Sequence, residues 1–390
     1  MLSTRIKSIP PSATNAVDAK ASELIKAGKP VLKFGIGAPD FDTPEHIKKA
    51  ACQATMKGRV AKYTPAGGLP ELKEAIQAKF KHENQIDYEL NEIVAAAGAK
   101  QILYNTFQVI LNKGDEVIMP APTWVTHFEQ VKLAGGIPLF AELPKDLKLT
   151  CNLVQEKLSA RTKAILINSP SNPTGALMEP KEIRKIGELC TKKNILLVSD
   201  ECYEHFVFGN TPFVSPASLS PEIKAITLTV NAVSKTYAMT GWRLGYAGGP
   251  TEIIKAMHIL QSHSTGNPSA PAQFAAMAAF TGPQDCIDEM REAFRKRRDY
   301  VLRAWREIPK IECADADGAF YVFPKVSAYF RGNIKNSSDL CTYLLKEANV
   351  ALVPGSAFLA DKYVRFSYAS SLEDIKEGME RIRKALAITL

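Results

Sequence analysis

Between Asn91 and Gly249, short apolar runs alternate with longer stretches in which apolar positions recur every three to four residues. The runs are "EIVAAAG", "DEVIMPAP", "IPLFAEL", "KAILINSP", "ILLVSDE", "AITLTVN" and "RLGYAGG". Apolar runs of this length predict strands buried on both faces, and the amphipathic stretches between them predict helices lying over those faces. The fold class is therefore α/β: a large domain with a mainly parallel seven-stranded sheet flanked by helices. From about Cys286 the pattern changes to one long helical stretch, the strand-like "GAFYVFP", "ALVPGSAF" and "VRFSYA", and a closing helix "SLEDIKEGMERIRKAL". These predict a smaller α/β domain. The first 45 residues, with a helix expected at Ala16 to Lys26, precede the sheet and are expected to join the smaller lobe. The division is 1–45 for the N-terminal arm and part of the small domain, 46–285 for the large domain and 286–390 for the small C-terminal domain. A chain of 390 residues exceeds what one core usually supports, which favours two lobes.

Composition narrows the class only a little. Hydrophobic content of 46% and charged content of 23% are those of a globular protein. The net charge of +8 could point to an anionic partner, but the densest basic run, "RKRR" at Arg295 to Arg298, lies in a helix-like stretch that interleaves acids. A solvated helix face explains it, and no nucleic-acid partner is expected. The seven cysteines form no CxxC pair, which favours a reducing compartment; no metal site is expected. No signal-like segment opens the chain and no apolar run reaches membrane-spanning length, so the expectation is a cytoplasmic protein without membrane contact.

In a sheet of this kind ligands sit beyond the carboxyl ends of the strands. Three runs end in polar residues there: "KAILINSPSNPTG" in Asn172, "ILLVSDECYEHF" in Asp200 and Tyr203, and "AITLTVNAVSK" in Ser234 and Lys235. Each has a bland reading. Asn-Pro is a turn signal, an aspartate caps helices, and a single lysine is usually a surface residue. Their joint occurrence in this order is harder to dismiss.

With "GAPDFDTP", "YTPAGG", "NPTG", "SDECYEH" and "SKTYAMTGWRLGY" in sequence, the chain resembles the class I pyridoxal-phosphate-dependent aminotransferases over nearly its whole length. The resemblance implies the PLP-dependent transferase fold (fold type I) and pyridoxal 5'-phosphate as cofactor. It implies that Lys235 bonds the cofactor's aldehyde and then moves the substrate's α proton. A lysine attacks only when neutral, and burial together with a neighbouring cation such as Arg243 penalises the charged form. The resemblance assigns Asp200 to the cofactor's ring nitrogen, Asn172 and Tyr203 to its phenolic oxygen, and Trp124 to stacking on the ring. Gly98, Ala99 and Lys100 follow a strand at a helix start, where backbone N–H groups face an anion, and Arg243 adds a charge-assisted contact to the phosphate. One position departs from the family pattern. Ala232, three residues before the lysine, lacks the hydroxyl often found there, and Ser234 or an ordered water would have to substitute. Tyr63 in "KYTPAGG" resembles the tyrosine that reaches a neighbouring subunit's phosphate, which implies a homodimer with shared sites; packing within its own loop is the alternative.

Arg365 in "YVRFSYA" matches the family's arginine for the substrate α-carboxylate, and Gly37 in "GIGAPDF" a backbone contact near it. Lys100 and Thr14 match a pair that resembles the bacterial subgroup acting on aspartate and, in some members, prephenate; Lys100 could instead serve only the phosphate. The expected activity is a ping-pong transfer of an amino group between aspartate or glutamate and a 2-oxo acid. A prephenate or aromatic aminotransferase, a β-lyase and a cyclopropane-carboxylate synthase share most of these residues.

Overall fold

The computed structural model describes residues 2–7 and 9–389. A two-residue strand, β1 (Leu32–Lys33), precedes seven strands that form one sheet: β2 (Ile93–Ala96), β3 (Glu116–Ala121), β4 (Ile137–Glu142), β5 (Thr162–Asn168), β6 (Leu196–Asp200), β7 (Thr227–Ala232) and β8 (Gly245–Gly248). Their order across the sheet is β2-β8-β7-β6-β5-β3-β4. Only β8 runs against its neighbours, β2 and β7; every other pairing is parallel. All seven apolar runs became strands of this sheet.

The runs are continuous because both faces are covered. Val117 and Met119 of β3 pack with Ala164 and Leu166 of β5 against the helix Ala99–Ile110, while Ile118, Ile165 and Ile167 point the other way onto the helix Pro180–Lys193. Successive side chains of a strand face opposite sides, so a strand with helices on both sides has no polar position to spare. After β4 the chain crosses to the far side of β3 to form β5, so connections diverge between β3 and β5. The loops after those two strands carry Trp124 and Asn172, at the kind of crevice where doubly wound sheets bind ligands.

The last third contains β9 (Tyr321–Val322), β10 (Val350–Ala351), β11 (Val353–Pro354) and β12 (Val364–Ser367), with helices Asp285–Arg306, Ser337–Glu347 and Leu372–Thr389. Strands β11, β12 and β9 form an antiparallel sheet. Strand β1 from the N-terminal segment pairs in parallel with β10, and Phe34 just beyond it stacks on Phe366 with ring centroids 4.4 Å apart. The core of this region is aromatic, with Phe294, Trp305, Phe320 and Tyr368 fully or almost fully buried, and it reaches Tyr203 and Phe206 in the loop after β6. The N-terminal helix spans Ala13–Lys26, three residues longer at its start than expected, because the Ser12 hydroxyl accepts the Asn15 N–H and caps it there. In the basic run, Arg295 pairs with Glu292 and Asp299, Arg297 with Asp40 and Arg298 with Asp299.

Candidate active site

Beyond the strand ends lies a cavity of about 380 Å³. Four cationic side chains, Lys100, Lys235, Arg243 and Arg365, line it together with one carboxylate, Asp200. A pocket with that balance is built for an anion.

Strand β7 is buried at every position and ends at Ala232; a single helical turn, Val233–Thr236, then presents Lys235. Its Nζ donates to the Gly37 carbonyl oxygen and lies 5.9 Å from the centre of the Tyr203 ring. Burial pulls the Lys235 amine down from 10.5 to about 8, and the positive charges of Arg365 and Arg243 act in the same direction. A useful fraction of this amine is therefore neutral near neutral pH, as an attacking lysine requires.

Arg243 follows the turn Thr240–Trp242 and donates from Nη1 to the Thr240 carbonyl (3.0 Å) and from Nη2 to the Ala97 carbonyl (3.3 Å). This places its guanidinium against Gly98, the residue that opens the helix Ala99–Ile110. Gly98, singled out with them in the sequence, is not among the residues that line the cavity; Ala99 and Lys100 are. The Lys100 ammonium sits 5.0 Å from the centre of the Trp124 ring, and burial, then the Arg243 charge, lowers its pKa. The start of a twelve-residue helix, two cations and the Ser234 side chain thus share one end of the cavity.

Asp200 ends β6 at the other side. Its Oδ2 accepts from His127 Nε2 (3.1 Å) and its Oδ1 from the Cys202 backbone N–H (3.3 Å), so it caps a turn, not a helix. The Thr123 hydroxyl lies 3.0 Å from His127 Nδ1 and fixes the ring from behind. Asn168 bridges two of these loops, donating to the Asp200 carbonyl (3.0 Å) and accepting the Asn172 N–H (2.8 Å).

Arg365 is 2% exposed. Its Nη1 donates to Asn172 Oδ1 (2.8 Å) and its Nη2 to the Gly35 carbonyl (2.7 Å). The guanidinium is flanked by the rings of Tyr321 (4.6 Å) and Phe358 (4.9 Å). Buried cations ordinarily exhaust their donors on partners, yet Arg365 Nε has none among the described residues, and the buried Thr14 hydroxyl, also in this cavity, has none either. These orphaned groups mark where a polar ligand completes the site. Pyridoxal 5'-phosphate fits the donor set: a cationic helix start for its phosphate, a lysine for its aldehyde, a carboxylate for its ring nitrogen and an indole beside them.

Of the residues singled out in the sequence, the cavity gathers Thr14, Gly37, Ala99, Lys100 and Trp124, together with Asn172, Asp200, Tyr203, Ser234, Lys235, Arg243 and Arg365. Tyr63 lies outside it and is 98% exposed. The motifs also left contributors unmarked, His127, Asn168 and Tyr321 among them. His127 was legible as the residue three positions after Trp124 on the same helix face, Asn168 as the amide four before Asn172, whereas Tyr321 lies in an apolar run with no polar signal around it.

A buried lysine of lowered pKa, a cationic helix start and a desolvated arginine thus share one cavity. The chain belongs to the aminotransferase family of class I and II, whose model matches residues 29–382, and it is an aminotransferase. It is 48% identical over 386 residues to an aspartate aminotransferase of Geobacillus stearothermophilus, covering 98% of both chains. It is 47% identical over 392 residues to a probable aspartate/prephenate aminotransferase of Aquifex aeolicus, covering 99% of this chain and 98% of that one. Among solved structures, it is similar to the aspartate aminotransferase of Rhizobium meliloti (TM-score 0.95, 43% identity) and to that of Thermus thermophilus with maleate (TM-score 0.93, 40% identity), each covering 99% of both chains. Among the described residues no helix is long and apolar enough to cross a membrane.

Proposed function

We propose that the enzyme transfers the amino group of aspartate or glutamate to a 2-oxo acid in two half-reactions, with pyridoxal 5'-phosphate as its carrier. One observation carries the reading: a single cavity holds the low-pKa amine of Lys235 between an anion cradle and the unsatisfied guanidinium of Arg365. The names of the relatives at 47 and 48% identity and the dicarboxylate in the Thermus structure support the substrate class.

The cofactor, when bound, supplies the electron sink that makes a substrate's α proton removable. The Ala99–Ile110 helix start, Ser234 and Arg243 bind its phosphate; Ser234 takes the place of the hydroxyl that Ala232 lacks. Asp200, oriented by His127, would hold a proton on the ring nitrogen, and Asn172 and Tyr203 would bind the phenolic oxygen. Arg365 pairs with the substrate α-carboxylate through its free N–H edge. Lys235 Nζ would take the substrate's α proton and hand it back from the same side as general base and then general acid. Lys100 and Thr14 lie on the cavity wall where a second carboxylate would reach them. That pair, with the naming of the Aquifex relative, favours prephenate as a further amino acceptor.

The same reading makes the active unit a homodimer. Tyr63 is a whole aromatic ring in solvent, close in sequence to exposed Met56, and a neighbouring subunit's phosphate would give it a partner. It divides the chain at residues 45 and 285, supported by the pairing of β1 with β10, and places the enzyme in the cytoplasm, supported by seven unpaired thiols.

The test is the visible spectrum of the protein loaded with pyridoxal phosphate, before and after aspartate and then after a 2-oxo acid. Loss of the band with aspartate and its return with 2-oxoglutarate or oxaloacetate is the expected result, and return with prephenate extends the acceptor range. Steady release of pyruvate and ammonia in place of a reversible change would show a lyase instead.

A further inference from the structure

We propose that Tyr321 is a positioning residue serving both ends of the cavity: its hydroxyl directs the Tyr203 proton toward the cofactor, and its ring holds the Arg365 guanidinium for the substrate carboxylate. The inference rests on the function proposed above.

Tyr321 begins β9, and its partner across the sheet is Ser367 of β12. Arg365 lies two residues before Ser367 on the same face, so the Tyr321 ring meets the guanidinium as a diagonal cross-strand neighbour. The Arg365 Cζ stands 4.6 Å from the Tyr321 ring centre and 4.9 Å from that of Phe358. Two rings against the guanidinium limit its movement, and the bonds to Asn172 and Gly35 fix its orientation. What remains is the buried, orphaned Nε–H, a donor still without a partner among the described residues.

At its other end the Tyr321 hydroxyl lies 2.8 Å from that of Tyr203. Burial raises the pKa of both phenols, so each keeps its proton. Two protonated phenols in contact share one hydrogen bond. If the Tyr203 proton points to the cofactor's phenolic oxygen, the bond between the tyrosines is donated by Tyr321, and a phenol that accepts a bond becomes a better donor. The arrangement leaves no slack. A methyl group on Gly37 would come within 2.7 Å of the Tyr321 oxygen, and the carbonyl of that same Gly37 receives the Lys235 amine.

Two substitutions separate the two roles. Tyr321→Phe keeps the ring and removes the hydroxyl. The cofactor's phenolic oxygen depends most on its donor at high pH, when no neighbouring proton offsets its charge. Weakening Tyr203 therefore moves the pH midpoint of the visible band upward, by about half a unit for one neutral hydrogen bond. The dissociation constant for maleate, read from the same band, stays within about twofold. Tyr321→Leu also removes the ring, and the maleate constant rises about threefold or more. An unchanged midpoint in Tyr321→Phe overturns the role of the hydroxyl, and equal maleate affinity in the wild type and Tyr321→Leu overturns that of the ring. Absence of any visible band in the wild type overturns the cofactor reading itself and this inference with it.

Discussion

Replacing Gly98 by alanine tests the anion cradle without touching a charged group. Gly98 has φ 90° and ψ 160°, a region populated almost only by glycine, so the new side chain costs about 1–3 kcal/mol in backbone strain. Its Cβ would stand 3.0 Å from Arg243 Cζ, 3.2 Å from Nη1 and closer still to Nη2. The guanidinium must move. It is the end of a flexible side chain, so the fold absorbs the shift, but its anchors on the Thr240 and Ala97 carbonyls are lost. One charge-assisted hydrogen bond contributes about 1.5–3 kcal/mol, so pyridoxal phosphate should bind on the order of 10- to 150-fold more weakly. Gly114→Ala is the control: its φ is 93°, yet nothing lies within 4 Å of its Cβ. It should lose stability in urea while keeping cofactor affinity. Fluorescence titration of the cofactor-free proteins reads both constants. If Gly98→Ala binds pyridoxal phosphate within twofold of the wild type, Arg243 is not a phosphate contact and the cradle argument fails.

Lys235→Ala should retain its circular dichroism spectrum and lose transamination entirely; normal turnover in this variant would refute the assignment. Because burial holds the Lys235 pKa near 8, below its ordinary 10.5, the cofactor-loading rate should climb with pH, pass half its plateau around 8 and level off above that. By the same sign, the cost of burying that charge is full below about 8 and fades toward 10.5, so the cofactor-free wild type should gain on Lys235→Ala in urea over that interval. Lys79→Met strands Glu204, whose side chain is 4% exposed and bonded to Lys79, Asn84 and Asn231, and should cost about 3–5 kcal/mol. Burial pushes the Glu204 carboxyl up, but Lys79 and His205 hold it below its usual 4.5, so its stabilisation is present above the unfolded pKa and lost in acid below it; the Lys79→Met deficit should be larger at pH 6 than at pH 3. Lys100→Ala, alone or with Thr14→Val, should lower kcat/KM for aspartate about tenfold and leave alanine nearly unaffected; equal losses on both would assign Lys100 to the phosphate.

Strand identity and the large sheet were legible because both-face burial writes itself into uninterrupted apolar runs, as in "KAILIN" and "AITLTVN". Residues of the site that end such runs, Asp200 and Lys235 above all, announce themselves as polar groups where the pattern breaks. Arg365 was legible only through family resemblance, since one cation on a strand is ordinary until two rings and two carbonyl-type acceptors are seen around it. Tyr321 carried no signal: its hydroxyl is one atom in the run "GAFYVFP", and its role comes from β9 lying beside β12, a pairing that periodicity does not specify. The helix start at Ala13 was missed for a local reason, the Ser12 cap, which competes with a neighbouring Pro-Pro turn signal.

The bond from Arg365 to the Gly35 carbonyl joins positions 330 residues apart. In equilibrium terms so long a closure adds little, because its entropy grows only with the logarithm of the intervening length. On a ribosome the separation acts as a clock. Every residue of the anion cradle and Lys235 has emerged while β1 still waits for β10, and Arg365 follows both strands. The order of synthesis thus sets Lys235 and the helix start at Ala99 apart from Arg365, which reaches Gly35 only when nearly the whole chain is made.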